Sequence, residues 1–340
     1  MLRCIQLAKN GLGTTYPNPM VGSVIVCNDS IIGEGWHCRA GQPHAEVNAI
    51  NSVANSALLK EATIYVNLEP CSHYGRTPPC ANLIIEKGIK KVVIGSKDSN
   101  PKVAGLGIQR LKDAGCEVVV GVLKKECHEI NKRFFTFQSK KRPYIFLKWA
   151  QTENGFIAPD QRNGQQPVWI TSKYSRQLVH KLRAEEQSVL VGTNTVIEDN
   201  PSLTTRDWKG NSPMRIVLDR TLRIPKEASV YDEKVPTLFI TEKYAENRSN
   251  LFFEQIDFTA NVATQICEVM YGHQLQSLIV EGGAQLLQTF IEEHLWDEAL
   301  IFTGKTTFDK GVKAPNLKGT LLSEETLGTD ILKRYKNSSL

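Results

Sequence analysis

The chain has no apolar run near the ~20 residues needed to cross a bilayer, so no membrane-spanning helix is expected. Its opening segment, MLRCIQLAKNGLG, lacks the apolar core and small-residue cleavage site of a secretory signal. Cysteines are scattered, at 4, 27, 38, 71, 80, 116, 127 and 267, which argues against a disulfide scaffold and for thiols in a reducing cytoplasm. Neither sign of charge dominates. A formal net charge of +5 suits an enzyme handling phosphorylated small molecules better than a protein committed to nucleic acid. Internal repeats and low-complexity tracts are missing. In the second half no Gly-x-Gly-x-x-Gly follows the first strand pattern, so a Rossmann dinucleotide fingerprint is absent.

What remains is an ordinary globular composition spread over 340 residues, comfortable for two domains of roughly 150 to 200 residues. The first ~140 residues alternate strand and helix patterns. A hairpin is expected over 20–27 and 30–35, turning at Asn28-Asp29. Strands follow at 62–68, 91–95 and 117–122, with helices at 44–54, 80–87, 105–114 and 123–138. The basic run Ser139-Lys140-Lys141-Arg142-Pro143 reads as a solvated connection, dividing the chain into residues 1–141 and 142–340. A second α/β pattern then begins, with strands at 144–150, 187–191, 215–219, 237–241 and 277–281. Its helices are expected at 172–185, 261–271 and 283–293, and a loop at 201–213. Strands alternating with helices imply, in each half, a sheet covered by helices.

The chemistry concentrates at 44–80. His44-Ala45-Glu46 is followed by Pro70-Cys71 and Pro79-Cys80. One imidazole and two thiolates leave a vacant corner on a tetrahedral zinc, as a catalytic site requires. Glu46 can relay protons for hydrolysis of an amidine-like ring carbon, the arrangement used by base deaminases. Those enzymes space their cysteines by two residues; here eight intervene. A closed zinc knuckle is the structural alternative, with His73 as fourth ligand, but it leaves Glu46 without a task. Cys4, Cys27, Cys116, Cys127 and Cys267 lie in apolar stretches and read as core. Asn18, between two prolines, is either a turn residue or a donor to a pyrimidine edge. His37, His73 and Arg76 can cradle a ribose phosphate, the Arg through its two-pronged fork.

In the second half the residues alone say less. Glu281-Gly282-Gly283 ends an apolar strand and opens a helix, a place where backbone N–H groups can meet phosphate. From the residues alone, a plain strand-to-helix turn is the commoner explanation. Arg183 and Arg206 are two cations able to hold one phosphate dianion.

The segments PNPMVGSVIV, GWHCRAGQPHAE and LEPCSHYGRTPPC together resemble the deaminase half of the RibD family of bifunctional riboflavin biosynthesis proteins. KWAQTENGFIA, VWITS, KLRAEEQSVLVGTNTVIEDNPSLTTR and VEGGAQL resemble the reductase half, so the likeness spans the chain. The resemblance implies a cytidine-deaminase-like αβα domain and a dihydrofolate-reductase-like α/β domain. It implies zinc on His44, Cys71 and Cys80 with Glu46 as proton shuttle, and Asn18, His37, His73 and Arg76 around a phosphorylated pyrimidine. It further implies NADPH along Ala150, Trp169, Thr195, Asp199, Gly283 and Ala284, with Arg183, Leu203, Arg206 and Glu281 facing substrate. The resemblance names no proton donor for the reduction; Lys148 is a candidate from its position alone. Two departures stand out: Asn154-Gly155 replaces the family's Asp-Gly, and three extra residues end in Pro167 where the family carries a substrate-bonding Ser. A cytoplasmic enzyme with no nucleic-acid or membrane partner, able to form homo-oligomers, is the expectation. Two rivals are a nucleoside or tRNA deaminase fused to a nucleotide-binding domain, and a binding protein with a structural zinc.

Overall fold

A computed structural model of the chain describes residues 1–72, 74, 78–99, 104–161 and 168–338. It divides into two compact units, Met1–Lys141 and Arg142–Leu340.

In the first unit β1 (Gly22–Cys27) and β2 (Ser30–Trp36) form the hairpin over Asn28 and Asp29, whose φ values are +48° and +59°. Asn and Asp tolerate this left-handed pair, which follows the natural twist of the strands. β3 (Thr63–Leu68) lies antiparallel to β1, and β4 (Lys91–Ser96) and β5 (Glu117–Val120) add in parallel, giving the order β2-β1-β3-β4-β5. The helices are α1 (Leu2–Ala8), α2 (Ala45–Asn51), α3 (Cys80–Glu86), α4 (Leu106–Asp113), α5 (Lys124–Ile130) and α6 (Lys132–Lys140). Ile25, Ile64, Val66 and Ile94 of the sheet pack with Ala49, Ile84 and Leu111 of the helices. The five cysteines expected in the core are buried.

Where one helix is expected over 123–138, α5 and α6 meet at a break. Asn131, at the junction, turns its amide inward: it accepts the Met20 N–H at 2.8 Å and donates to the Met20 carbonyl at 2.9 Å. A buried Asn that satisfies a loop in this way competes with helical hydrogen bonding at its own position.

The second unit is built on β6 (Tyr144–Thr152), β7 (Phe156–Pro159), α7 (Lys173–Glu185), β8 (Ser188–Gly192), α8 (Thr193–Asp199), β9 (Met214–Leu218), β10 (Thr237–Thr241) and β11 (Leu251–Gln255). Then come α9 (Val262–Gly272), β12 (Ser277–Gly282), α10 (Ala284–Glu292), β13 (Glu298–Gly304), β14 (Gly311–Lys313), β15 (Thr320–Leu327) and β16 (Asp330–Lys336). Nine strands form one sheet in the order β11-β10-β9-β8-β12-β6-β13-β16-β15, and β7 pairs with β14 apart from it. From β11 to β13 every pairing is parallel; β16 and β15 close that side antiparallel. Along β6 the side chains alternate between two cores. Ile145, Leu147 and Trp149 meet α9 and α10, while Tyr144 and Phe146 meet the Leu182 face. Both faces are covered, as a parallel sheet requires.

One reading of the boundary is corrected. Arg142 is buried, not solvated: it donates to both oxygens of Asp297 at 2.6 and 2.9 Å. The same carboxylate accepts the Ile145 N–H, so the pair pins the start of β6. Among the described residues no helix is long and apolar enough to cross a membrane.

Candidate active sites

In the first unit, His44 stands as N-cap of α2 and Cys80 opens α3, while Cys71 follows β3 on the loop between them. His44 Nδ1 lies 3.6 Å from Cys71 Sγ and 3.3 Å from Cys80 Sγ, and all three donor atoms fall within 4.8 Å of one another. Donors around a tetrahedral zinc, bound at ~2.0 Å by nitrogen and ~2.3 Å by sulfur, stand roughly 3.6 Å apart, so the donor set fits that ion. The Cys80 N–H, at the start of α3, donates to Cys71 Sγ at 3.2 Å. Hydrogen bonds from Cys80 and His44 make Cys71 an easy thiolate, and the neighbouring Cys80 resists losing the second proton. Two thiolates side by side call for a divalent cation. Glu46, two residues on from His44, is buried, and that burial together with the charge of Cys71 pushes its carboxyl up to about 7.

Asn18 and His37 come together beside this cluster. His37 Nδ1 donates to the Pro43 carbonyl at 3.1 Å, and Asn18 Nδ2 meets its Nε2 at 3.0 Å. The two histidine rings, His37 and His44, pack edge to face at 5.4 Å. With only 2% of its surface exposed, His37 supports Asn18 and the His44 ring from behind. His73 and Arg76 lie outside the described residues.

Glu69 was missed by sequence reading. It is buried, and its carboxylate accepts four backbone N–H groups: Asp98 at 3.2 Å, Gly105 at 3.0 Å, Gly107 at 3.0 Å and Ile108 at 3.2 Å. Its place directly before Pro70-Cys71 was the available signal.

In the second unit a cleft of about 750 Å³ opens at the C-terminal ends of β6, β8 and β12. Ligands of open parallel sheets bind at such a place. Lys148, Ala150, Trp169, Arg183, Thr195, Asp199, Leu203, Arg206, Glu281, Gly283 and Ala284 all line it, so every reductase residue expected from the sequence and described here meets in one cavity. Gly283 has φ +70° and ψ 128°, a conformation closed to side-chain-bearing residues, and it delivers the backbone into α10. Leu203 is nearly buried although its φ is +55°. Strain of that kind clusters at ligand sites. Arg176 stacks on the exposed Trp169 ring at 4.4 Å. Pro167 and the insertion before it lie outside the described residues.

Glu281 sits at the centre of the charge arrangement. It accepts both arms of Arg183, at 2.8 and 2.6 Å, and Lys148 Nζ lies 3.5 Å away. Burial opposes its charge, but the two cations overcome this and hold its pKa at about 2. Burial lowers the pKa of Lys148 against the attraction of Glu281. His180, also missed, lines the cleft and accepts the Arg206 N–H on Nδ1 at 3.2 Å. A neighbouring cavity of about 560 Å³ shares Asn194, Thr195, Gly282 and Gly283 with the cleft and adds Arg220 and Arg223. Cations just past the C-terminal end of a parallel strand were a legible signal that went unread.

Residues 143–332 match the family described as "RibD C-terminal domain", and residues 1–96 match "Cytidine and deoxycytidylate deaminase zinc-binding region". The riboflavin biosynthesis protein RibD of Aquifex aeolicus is 41% identical, covering 98% of this chain and 98% of that protein. That of Escherichia coli is 35% identical over 89% of this chain and 86% of its own length. Among solved structures, a diaminohydroxyphosphoribosylaminopyrimidine deaminase/5-amino-6-(5-phosphoribosylamino)uracil reductase of Thermotoga maritima superposes with a TM-score of 0.90. It is 37% identical and covers 99% of this chain and 97% of its own. Acinetobacter baumannii RibD gives 0.88 at 34% identity, covering 98% and 97%.

Proposed function

The chain belongs to the RibD family of bifunctional deaminases and reductases of riboflavin biosynthesis, and from that premise we propose how its two units divide the work. Residues 1–141 hydrolyse the 2-amino group of 2,5-diamino-6-(5-phosphoribosylamino)pyrimidin-4(3H)-one. Residues 142–340 reduce the ribosyl group of the product to a ribityl chain with NADPH. The observation that carries the first assignment is the His44, Cys71 and Cys80 donor set with the buried Glu46 beside it.

Zinc on those three residues supplies the Lewis acidity that makes water nucleophilic near neutral pH. Glu46 takes the proton of the attacking water and passes it to the ring nitrogen; it then takes the proton of the resulting hydroxyl and passes it to the amino group, which leaves as ammonia while the ring carbonyl forms. Burial raises the Glu46 carboxyl above its ordinary value, which favours a group that both takes up and returns a proton. Asn18, braced by His37, faces the pyrimidine edge. In the second unit NADPH supplies the hydride. Gly283 and Ala284 present backbone N–H groups to the cofactor's phosphates, with Ala150, Trp169, Thr195 and Asp199 along its length. Arg206 and Arg183 face the substrate phosphate, Leu203 the pyrimidine, and Lys148 donates the proton that completes the reduction. We place both reactions in the cytoplasm, where zinc thiolates stay reduced.

The test is an assay on the phosphoribosylaminopyrimidine that follows ammonia release and NADPH oxidation separately. Ammonia should appear without NADPH, and NADPH oxidation should follow it. Ammonia release from free nucleosides or tRNA with none from this substrate would overturn the reading.

A further inference from the structure

Helix α4 belongs to neither the donor set nor the substrate face, yet it is tied to the metal loop at three points. Glu69, adjoining Pro70-Cys71, caps its N-terminal end through Gly105, Gly107 and Ile108 N–H. Gly107 packs so closely on this loop that a Cβ there would collide with the Pro70 carbonyl oxygen. Arg110, one turn further on, reaches across with a single Nη1. It donates to the Ser72 carbonyl at 3.1 Å and to the Asn82 side-chain oxygen at 2.9 Å.

Those two acceptors matter because of where they stand. Ser72 follows Cys71 directly, and Asn82 is two residues past Cys80 on α3. One guanidinium nitrogen therefore joins the two cysteine-bearing segments, adding to the Cys80 N–H bond to Cys71 Sγ and the Ala81 N–H bond to the Cys71 carbonyl, both at 3.2 Å. Groups outside the ligand set that fix ligand orientation commonly govern metal affinity.

We propose that Arg110 and Glu69 are positioning residues for the metal: Glu69 anchors α4 against the Cys71 loop, and Arg110 sets the separation of the Cys71 and Cys80 sulfurs. This rests on His44, Cys71 and Cys80 being the zinc donors. No contact between Arg110 and substrate is required.

The experiment uses the full chain loaded with zinc or with cobalt. Arg110→Met keeps the apolar stem and removes the donors. It should release zinc to a chelator with an affinity loss of about tenfold to a hundredfold, the range typical when such supporting groups are lost. The cobalt-substituted protein should show a displaced or weakened thiolate-to-metal absorption band. Arg110→Lys, which keeps the charge and can reach one acceptor, should recover part of the loss. Because Arg110 is exposed, the melting temperature of the metal-free protein should barely change. Glu69→Gln turns an amide donor toward two backbone N–H groups and should act in the same direction; if it does not fold, Arg110→Met decides alone. Wild-type zinc affinity and an unaltered cobalt spectrum in Arg110→Met would overturn the proposal while leaving the zinc site intact. So would an affinity loss that merely tracks unfolding. A wild-type chain that binds no zinc would overturn the underlying assignment as well.

Discussion

Arg183 gives both arms of its guanidinium to Glu281, Nε at 2.8 Å and Nη2 at 2.6 Å, and its remaining Nη1 turns to the Thr204 carbonyl at 3.3 Å. Its charge therefore reaches the cleft already matched. Arg206 differs: it is held by the hydroxyls of Ser202 and Thr204, neutral partners that leave its charge to a ligand. Two arginines that look equivalent in sequence thus stand in different electrostatic settings.

From that contrast, Arg206→Ala should raise the substrate KM for reduction by roughly tenfold to a hundredfold, the worth of one or two charged hydrogen bonds. Its effect on the NADPH KM should be small. Arg183→Ala should weaken substrate binding too, but with a larger loss in kcat, because it leaves Glu281 facing Lys148 alone. Initial rates with each reactant varied separately will decide. A greater rise for NADPH than for substrate would mean that the two pockets are interchanged.

The same carboxylate sets a pH dependence. A carboxyl whose folded pKa, about 2, lies below its unfolded value contributes stability that is complete above the unfolded pKa and lost as pH falls toward the folded one. Glu281→Gln should therefore cost ~3 kcal/mol or more at pH 7 in urea unfolding, and less below pH 4. Removing this anion also makes the Lys148 ammonium harder to keep, lowering a pKa that burial has already lowered. If Lys148 is the proton donor, the alkaline limb of kcat for reduction must move to lower pH. A limb that stays put would assign the titration to another group.

Arg220 and Arg223 line the cavity that adjoins the Gly283 turn. Arg220 is paired with Glu242 at 2.7 Å, whereas Arg223 bonds the neutral Asn194 side chain. The one with its charge uncommitted should select the phosphorylated cofactor. Arg223→Ala should weaken NADPH about tenfold, in line with one lost charged contact, and leave NADH nearly unchanged. Equal losses for both cofactors would place the extra phosphate elsewhere.

The zinc donors were legible because metal chemistry restricts both residue type and spacing, so His44, Cys71 and Cys80 could be read without a fold. The reductase cleft was not, from the residues alone. Lys148, Arg183 and Glu281 come from β6, α7 and β12, whose adjacency depends on a sheet order that no local pattern encodes. The family resemblance supplied what spacing could not. Glu69 and Arg110 escaped both routes, since their partners are backbone groups and the Asn82 side chain, 28 positions from Arg110, none of which carries a sequence signature. Arg142 was misread because a run of basic residues resembles a solvated connection, and its partner Asp297 lies 155 positions away. Strands β7, β11 and β13 to β16 are not among those expected: β15 is exposed on both faces and carries no alternation to read, whereas the buried apolar run of β13 was a legible signal.

For the first unit, Glu46→Gln separates chemistry from architecture. The amide keeps the shape of the buried side chain but cannot relay a proton. Zinc content and melting temperature should match the wild type, and ammonia release should fall by at least about a hundredfold, the usual contribution of a general acid-base group. NADPH oxidation with deaminated substrate should be untouched. Retained ammonia release would remove Glu46 from the mechanism, and a protein with structural zinc alone would show no difference at all.

The boundary can be tested with fragments of the second unit. Residues 142–340 keep the Arg142 pair with Asp297, and residues 143–340 lose it. Both partners are buried, so the shorter fragment leaves the carboxylate beneath β6 without its guanidinium, held among the described residues by the Ile145 N–H. Breaking such a pair costs ~3–5 kcal/mol. In a fragment of this size each kcal/mol moves the melting temperature by about 2–4 °C, so the two should differ by roughly 10 °C. If the second unit folds and acts by itself, residues 142–340 should oxidise NADPH with deaminated substrate at a rate near that of the full chain. Equal melting temperatures would show that Arg142 belongs to the linker after all, and a folded but inactive longer fragment would show that reduction needs the first unit.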